Sequence, residues 1–248
     1  MTGTLAHIWR HPIKSHGRES LDHVTLAAGE TLPGDRLWAV AHDASKADGS
    51  AWVPCVNFTR AAKVGSLTAI RSTLDEESGR IALTHPELPP LEFDPATEGQ
   101  RMIDWVGPLM PADRARSVRL VQVPGRGMTD TPFPSISLLN SATNQALSEA
   151  IGIDLSPERW RGNLLIDGLD PWAEWDWIGR SLRLGEAVLK VEARITRCNA
   201  TKANPATGET DADTLGTLNA TWGHQDFGIY VTVAESGRIA LGDRLELI

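Results

Sequence analysis

Short apolar segments, each closed off by Gly, Pro, Asp or Ser, recur along this 248-residue chain, and almost none is followed by a helical repeat. Such runs of about four to eight residues between turn formers signal strands, whereas a parallel doubly wound sheet needs a helix of roughly a dozen residues after each strand. The pattern predicts a mainly β (α+β) protein with few short helices and argues against a parallel doubly wound sheet. Strands are expected at Leu5–Arg10, Leu37–His42, Val64–Arg71, Gly79–Thr84 and Ser117–Val123, then at Asn163–Asp167, Ser181–Leu184, Ala187–Thr196, Phe227–Val233 and Arg238–Ile248. The clearest helix is Ser141–Ile151, with Ala142, Ala146, Leu147, Ala150 and Ile151 on one face, Asn140 or Ser141 as N-cap and Gly152 as its stop. A second helix is expected between Asp211 and Ala220. Six prolines and little regular period in residues 86–111 suggest a junction, dividing the chain into domains 1–112 and 113–248. Many strands around few helices point to a barrel or strongly curved sheet.

Two cysteines, Cys55 and Cys198, exclude a four-Cys zinc site, an iron–sulfur cluster and a disulfide framework. No stretch of 18 apolar residues or secretory signal pattern is present, so no membrane association is expected and the default location is cytoplasmic. The net charge of −8 is shared by both halves, with 10 basic and 14 acidic residues in 1–110 and 14 and 18 in 111–248, so no nucleic-acid partner is expected. Arg outnumbers Lys 19 to 5. Its planar fork grips phosphate and carboxylate in two places, although coding bias explains the excess equally well.

Cys198 ends a strand in Arg194-Ile195-Thr196-Arg197-Cys198-Asn199. Flanking arginines favour a thiolate, the form that attacks electrophiles or binds soft metals; a small buried apolar residue is the competing reading. Cys55, between Pro54 and Val56, reads as structural. Basic side chains gather at Arg10, Lys14 and Arg18, at Arg36, at Arg159 and Arg161, and at Arg194, Arg197 and Lys202. Strand-to-loop junctions carrying such groups suit a phosphorylated cofactor, and equally suit solvated edges that resist aggregation. His7, His11, His16 and His23 read as surface or turn residues, since Pro12 breaks any helical pairing of His7 with His11. Trp172, Trp175 and Trp177 read first as core filling and second as a pocket wall. No dinucleotide fingerprint, Walker sequence or Gly-x-Ser-x-Gly is present.

Together these segments resemble the MOSC-domain family preceded by its N-terminal β-barrel domain. The likeness rests on Pro12-Ile13-Lys14-Ser15 and Asp35-Arg36-Leu37-Trp38, then on Met128–Ser141, Arg159–Asp167, Arg197-Cys198 followed by Asn204-Pro205-Ala206-Thr207-Gly208, Phe227-Gly228-Ile229-Tyr230, and Gly237–Asp243. It implies a MOSC-type β-barrel after a smaller β-barrel-like domain. The implied cofactor is Mo-molybdopterin, with Cys198 as protein ligand to molybdenum. Lys14, Ser15, Arg36, Thr131, Ser135, Arg159, Arg161, Asn163, Arg197 and Tyr230 would hold the cofactor, and Asp130 could deliver a proton to the departing oxygen. The implied activity, as in the amidoxime-reducing component, is reduction of small N-hydroxylated compounds, hydroxylamines and amidoximes. With no thiols to spare, electrons are expected from a separate flavoprotein reductase, ferredoxin or cytochrome-type protein. Two rivals remain: a sulfur or molybdenum-cofactor carrier without reductase activity, and an anion-binding barrel with an inert Cys198.

Overall fold

The computed structural model describes residues 2–248. The strands are β1 (Thr2–Arg10), β2 (Glu19–Leu21), β3 (His23–Leu26), β4 (Trp38–His42), β5 (Arg71–Leu74), β6 (Ile81–His85), β7 (Leu88–Phe93), β8 (Ser117–Gln122), β9 (Ile136–Asn140), β10 (Leu164–Asp167), β11 (Ser181–Leu184), β12 (Ala187–Thr196), β13 (Asp226–Glu235), β14 (Gly237–Ala240) and β15 (Arg244–Leu247). The α-helices are α1 (Gly99–Val106), α2 (Ser141–Ile151) and α3 (Thr214–Trp222). The protein is mainly β.

Seven strands close a barrel in the order β10, β9, β13, β12, β11, β15 and β1, the ring being shut by antiparallel pairing of β1 with β10. Only β9 and β10 run parallel in the ring, as the α2 crossover between them requires. Closure removes exposed edges and turns alternate side chains inward. Leu5, Ile8, Leu138, Ile166, Leu189, Ile229, Val231 and Leu245 form the resulting core. Sheet pairing crosses the division at residue 112: β1 lies between β10 and β15, β3 pairs with β14 and β4 with β8. A second core, around Ile13, Val40, Leu67, Ile81, Phe93 and Met102, lies under the antiparallel sheet β5-β6-β7 and α1.

Several local expectations give way to tertiary packing. Within Val64–Arg71, residues Gly65–Ala69 form a 3-10 turn and the strand starts only at Arg71. Leu67, Thr68, Ala69 and Ile70 are buried in succession, which a strand with one wet face cannot achieve. The proline-rich stretch holds edge strand β7, where Pro89 and Pro90 need no ladder donor, and α1, which buries Met102, Ile103 and Val106. Arg238–Ile248 divides into β14 and β15 at Gly242, whose φ is +88°. Helix α2 keeps its expected bounds, with Asn140 accepting from the Ala142 N–H and Gly152 left-handed. Its buried face, however, is Thr143, Asn144, Leu147 and Ser148, while Ala150 is exposed. Asn144 earns that place by bonding the Leu155 carbonyl and the Trp160 indole N–H. His11 and His16 are also buried, contrary to the surface reading, because the turn carrying them is folded between the two cores. No helix among the described residues is long and apolar enough to cross a membrane.

Candidate functional site

A cleft of about 180 Å³ is lined by Lys14, Ser15, Arg36 and the segment around Cys55 and Arg60 from the first half and by residues of five segments of the second. The turn after β1 supplies Lys14 and Ser15. It is tied to β4 by the Lys14 N–H donating to the Trp38 carbonyl at 2.7 Å, and it bends through a left-handed Ser15 (φ +65°). Arg36 (φ +52°) and Arg161 (φ +49°) are left-handed too. Three of the four non-glycine residues with positive φ thus line one cleft, a concentration of strain typical of functional sites.

Charge defines this cleft. The buried Lys14 Nζ donates to the Met128 carbonyl at 2.8 Å and to Asp130 Oδ1 at 2.5 Å. Arg36 pairs with the buried Asp35 and donates from Nη2 to the Arg161 carbonyl at 2.8 Å. Arg161 reaches the Gly17 carbonyl at 3.1 Å through Nη2, leaving Nη1 buried without a partner. Arg197 donates to the Phe227 and Trp160 carbonyls, both at 2.8 Å, and its Nη2 is likewise orphaned. Gly228 makes room there: a Cβ on it would lie 2.7 Å from the Leu138 carbonyl oxygen and 3.3 Å from that Nη2. Burial, with repulsion from Arg36 and Arg18, lowers the Arg161 pKa to about 9; burial lowers that of Arg197 to about 10. Both stay cationic at neutral pH, crowded and without a salt bridge among the described residues. Such a pair of free donors favours an anion.

Other side chains have different work. Burial pushes the Tyr230 phenol up to about 12, with Asp130 adding to the rise, so it keeps its proton. Asp130, whose side chain is 56% exposed to the open cleft, is held below the usual carboxylate range: partial desolvation opposes ionisation, but Lys14, Arg36 and Arg161 prevail. An ionised Asp130 bound to Lys14 is an anchor rather than a proton donor at neutral pH. Asn163 lines the cleft but spends its amide internally, its Oδ1 accepting from the Ser137 N–H and Oγ and its Nδ2 donating to the Trp9 carbonyl. Arg159 ties Asp211 and the Thr201 carbonyl, bracing the loop after Cys198. Ser135 accepts from Thr131 Oγ1 at 2.7 Å; Thr131 itself does not line the cleft, whereas every other expected site residue does.

Cys198 is exposed and lines the cleft, its carbonyl accepting from Thr201. Arg194 does not flank the thiol as expected, because its guanidinium lies 3.9 Å over the Trp175 ring. Trp177 packs in the barrel core, and Trp172 meets Trp175, Trp222 and His224, so these tryptophans are packing. Trp160 instead reaches the cleft, stacked on Phe227 with centroids 3.7 Å apart.

Residues 130–246 match the model of the MOSC domain, and residues 2–106 match that of the MOSC N-terminal beta barrel domain. The chain belongs to the MOSC family. A relative of this MOSC protein named Mitochondrial amidoxime-reducing component 1, from Mus musculus, is 24% identical over 293 residues, covering 99% of this chain and 82% of its own. One named Molybdenum cofactor sulfurase, from Anopheles gambiae, is 28% identical over 155 residues, 55% of this chain and 20% of its own. The MOSC protein therefore spans about a fifth of the length of that sulfurase. The YUAD protein from Bacillus subtilis, a solved structure, covers 100% of this chain and 96% of its own at 14% identity and a TM-score of 0.48.

One of these relatives is named for the molybdenum cofactor, and the donors of the present cleft fit such a group. Two orphaned guanidinium nitrogens suit a phosphate, and an accessible thiol suits molybdenum. Among the described residues no cluster of three or more His, Cys, Asp or Glu is gathered to hold a metal. Cys55, which reads as structural in the sequence, and Arg60, which carries no sequence signal, also line the cleft. Nothing local marks them, since Cys55 has apolar neighbours and Arg60 stands alone; only the folding of their loop brings them to Cys198's cleft.

Proposed function

We propose that this MOSC protein binds Mo-molybdopterin in the cleft with Cys198 as protein ligand to molybdenum. On this reading it reduces small N-hydroxylated compounds, hydroxylamines and amidoximes. The observation that carries the proposal is an exposed thiol sharing one cleft with the orphaned donors of Arg161 and Arg197. Full-length similarity to a protein named for amidoxime reduction supports it.

When bound, the cofactor supplies the two-electron chemistry that breaks the N–O bond. For a hydroxylamine the balance is R–NHOH plus two electrons and two protons giving R–NH2 and water. The chain contributes charge, orientation and a proton source. Arg161 and Arg197 neutralise the anionic group, while Lys14, held by Asp130, and Ser15 close on it from the other half. Tyr230 retains its O–H and is the protonated side chain suited to donate a hydrogen bond to the leaving oxygen. Electrons come from a separate flavoprotein, ferredoxin or cytochrome-type partner.

Protein purified from molybdate-fed cells tests the reading: molybdenum by elemental analysis, and benzamidoxime reduction with reduced methyl viologen on the same sample. Stoichiometric metal with turnover is expected. Turnover on a pyridine nucleotide alone would overturn the need for a separate donor, and full activity in Cys198→Ser would overturn the ligand assignment. Similarity to proteins named cofactor sulfurase favours a second reading, a sulfur or cofactor carrier, for which bound molybdenum without reduction is the expected result.

A further inference from the structure

Arg60 is a cation of the cleft with no charged partner among the described residues. The segment before it is clamped, with the Thr59 N–H donating to the Val40 carbonyl at 2.8 Å, Thr59 Oγ1 lying 2.9 Å from Ser117 Oγ and the buried Phe58 bridging Ala41 of β4, and the Arg60 carbonyl itself accepts from the Lys63 N–H at 2.9 Å. The half-buried guanidinium makes one side-chain contact, Nη1 to Cys55 Sγ at 3.8 Å, and no ion pair among the described residues. Lys14, Arg36 and Arg159 each face a carboxylate. Arg161 and Arg197 lie deeper, backed by main-chain carbonyls. Arg60 also lines an adjoining cavity of about 250 Å³ with Lys63, Arg114 and Asp113; Asp113 lies 4.0 Å from the Arg114 guanidinium, which leaves Lys63 as the second cation beside Arg60 without an ion pair among the described residues.

We infer that Arg60 is a specificity-determining residue that binds the carboxylate of an anionic N-hydroxylated substrate while the N–OH end lies toward Cys198. This rests on the reductase reading above. A thiol is a weak acceptor, so the Cys55 contact leaves most of the guanidinium fork free to take a ligand. A carboxylate fills that fork with two parallel hydrogen bonds, a match that a lysine cannot reproduce. The protein's net charge of −8 repels anions in general, so a substrate bearing a carboxylate needs a local cation at the entrance.

The test compares benzamidoxime with 4-carboxybenzamidoxime on the molybdenum-loaded protein. In the wild type the carboxylate is expected to lower KM by about tenfold or more, the scale of a charge-assisted hydrogen bond. In Arg60→Gln the ratio of the two KM values should collapse towards one, and Arg60→Lys should keep part of it, which preserves the test if the Gln variant fails to fold. Molybdenum content should match the wild type in every variant. Equal KM values in the wild type, a preserved ratio in Arg60→Gln, or loss of molybdenum on that substitution would each overturn the assignment, the last by making Arg60 a cofactor residue. Calorimetric titration of 4-carboxybenzamidoxime without reductant separates the two readings. If the loaded wild type reduces neither compound, the reductase reading fails; Arg60 then stands if binding is seen in the wild type and lost in Arg60→Gln, and falls otherwise.

Discussion

Arg36 Nη2 donates to the main-chain carbonyl of Arg161 at 2.8 Å, joining two left-handed residues from opposite halves of the chain. The same guanidinium neutralises Asp35, 1% exposed, which also accepts from the His11 N–H at 2.8 Å. One side chain thus holds the cleft together and keeps a buried carboxylate ionised.

Arg36→Ala strands that carboxylate, so unfolding free energy should fall by about 3–5 kcal/mol, the cost of breaking a buried ion pair. Arg36→Lys keeps the charge without the second arm to Arg161 and should recover part of the loss. Urea denaturation at pH 7 measures both; an Arg36→Ala midpoint equal to the wild type would show the pair to be dispensable.

Acid should destabilise the protein earlier than its carboxylates alone predict. Burial, with Arg161 and Arg36 adding to it for His11, lowers the pKa of His11 to about 3 and, with Arg161, that of His16 to about 4. The unfolded chain takes up these protons near pH 6.5 and the folded one does not, so stability falls with pH from there down to the folded values. The slope is about 1.4 kcal/mol per pH unit for each histidine. Urea midpoints at pH 7, 6 and 5 should decline steadily, and His11→Gln or His16→Gln should flatten the decline. A midpoint constant from pH 7 to 5 is the contrary result.

Trp160 is 2% exposed, stacks on Phe227 and donates its indole N–H to Asn144 Oδ1 at 2.7 Å. Trp160→Ala should cost about 3–5 kcal/mol. Trp160→Phe should restore most of the packing but leave Asn144 short of a donor, a remaining deficit of about 1–3 kcal/mol. Thermal melts of the two variants separate packing from hydrogen bonding.

Asp130→Asn tests the anchoring role. Lys14 would keep the Met128 carbonyl and a neutral amide acceptor but lose its counter-charge, and molybdenum retention after dialysis should drop while the acid limb of the pH–rate profile stays where it was. A displaced limb would mean that Asp130 carries a transferred proton after all.

Local patterns were legible wherever residues close in sequence decide the outcome. Asn140 and Gly152 bound α2 because a cap needs only a side chain and a backbone within a turn of each other. Cys198, Lys14, Arg36 and Tyr230 were legible as members of ordered motifs, and the fold gathers them in one cleft. The buried face of α2 was not legible, because Asn144 and Ser148 turn inward only when Leu155 and Trp160 are there to receive them.

Alternating apolar segments and their turns therefore specify that this chain is built of short strands, since each depends on neighbours a few residues away. Which strands meet depends on pairing across long stretches of chain: β1 closes the barrel against β10 and β15, which local propensity cannot encode. Long-range packing of the same kind buries His11 and His16, leaves Arg161 and Arg197 with unpaired donors, and carries Arg60 and Cys55 to the cleft of Cys198. Burial and charge proximity arise from the whole packed molecule, so only the tertiary structure assigns them.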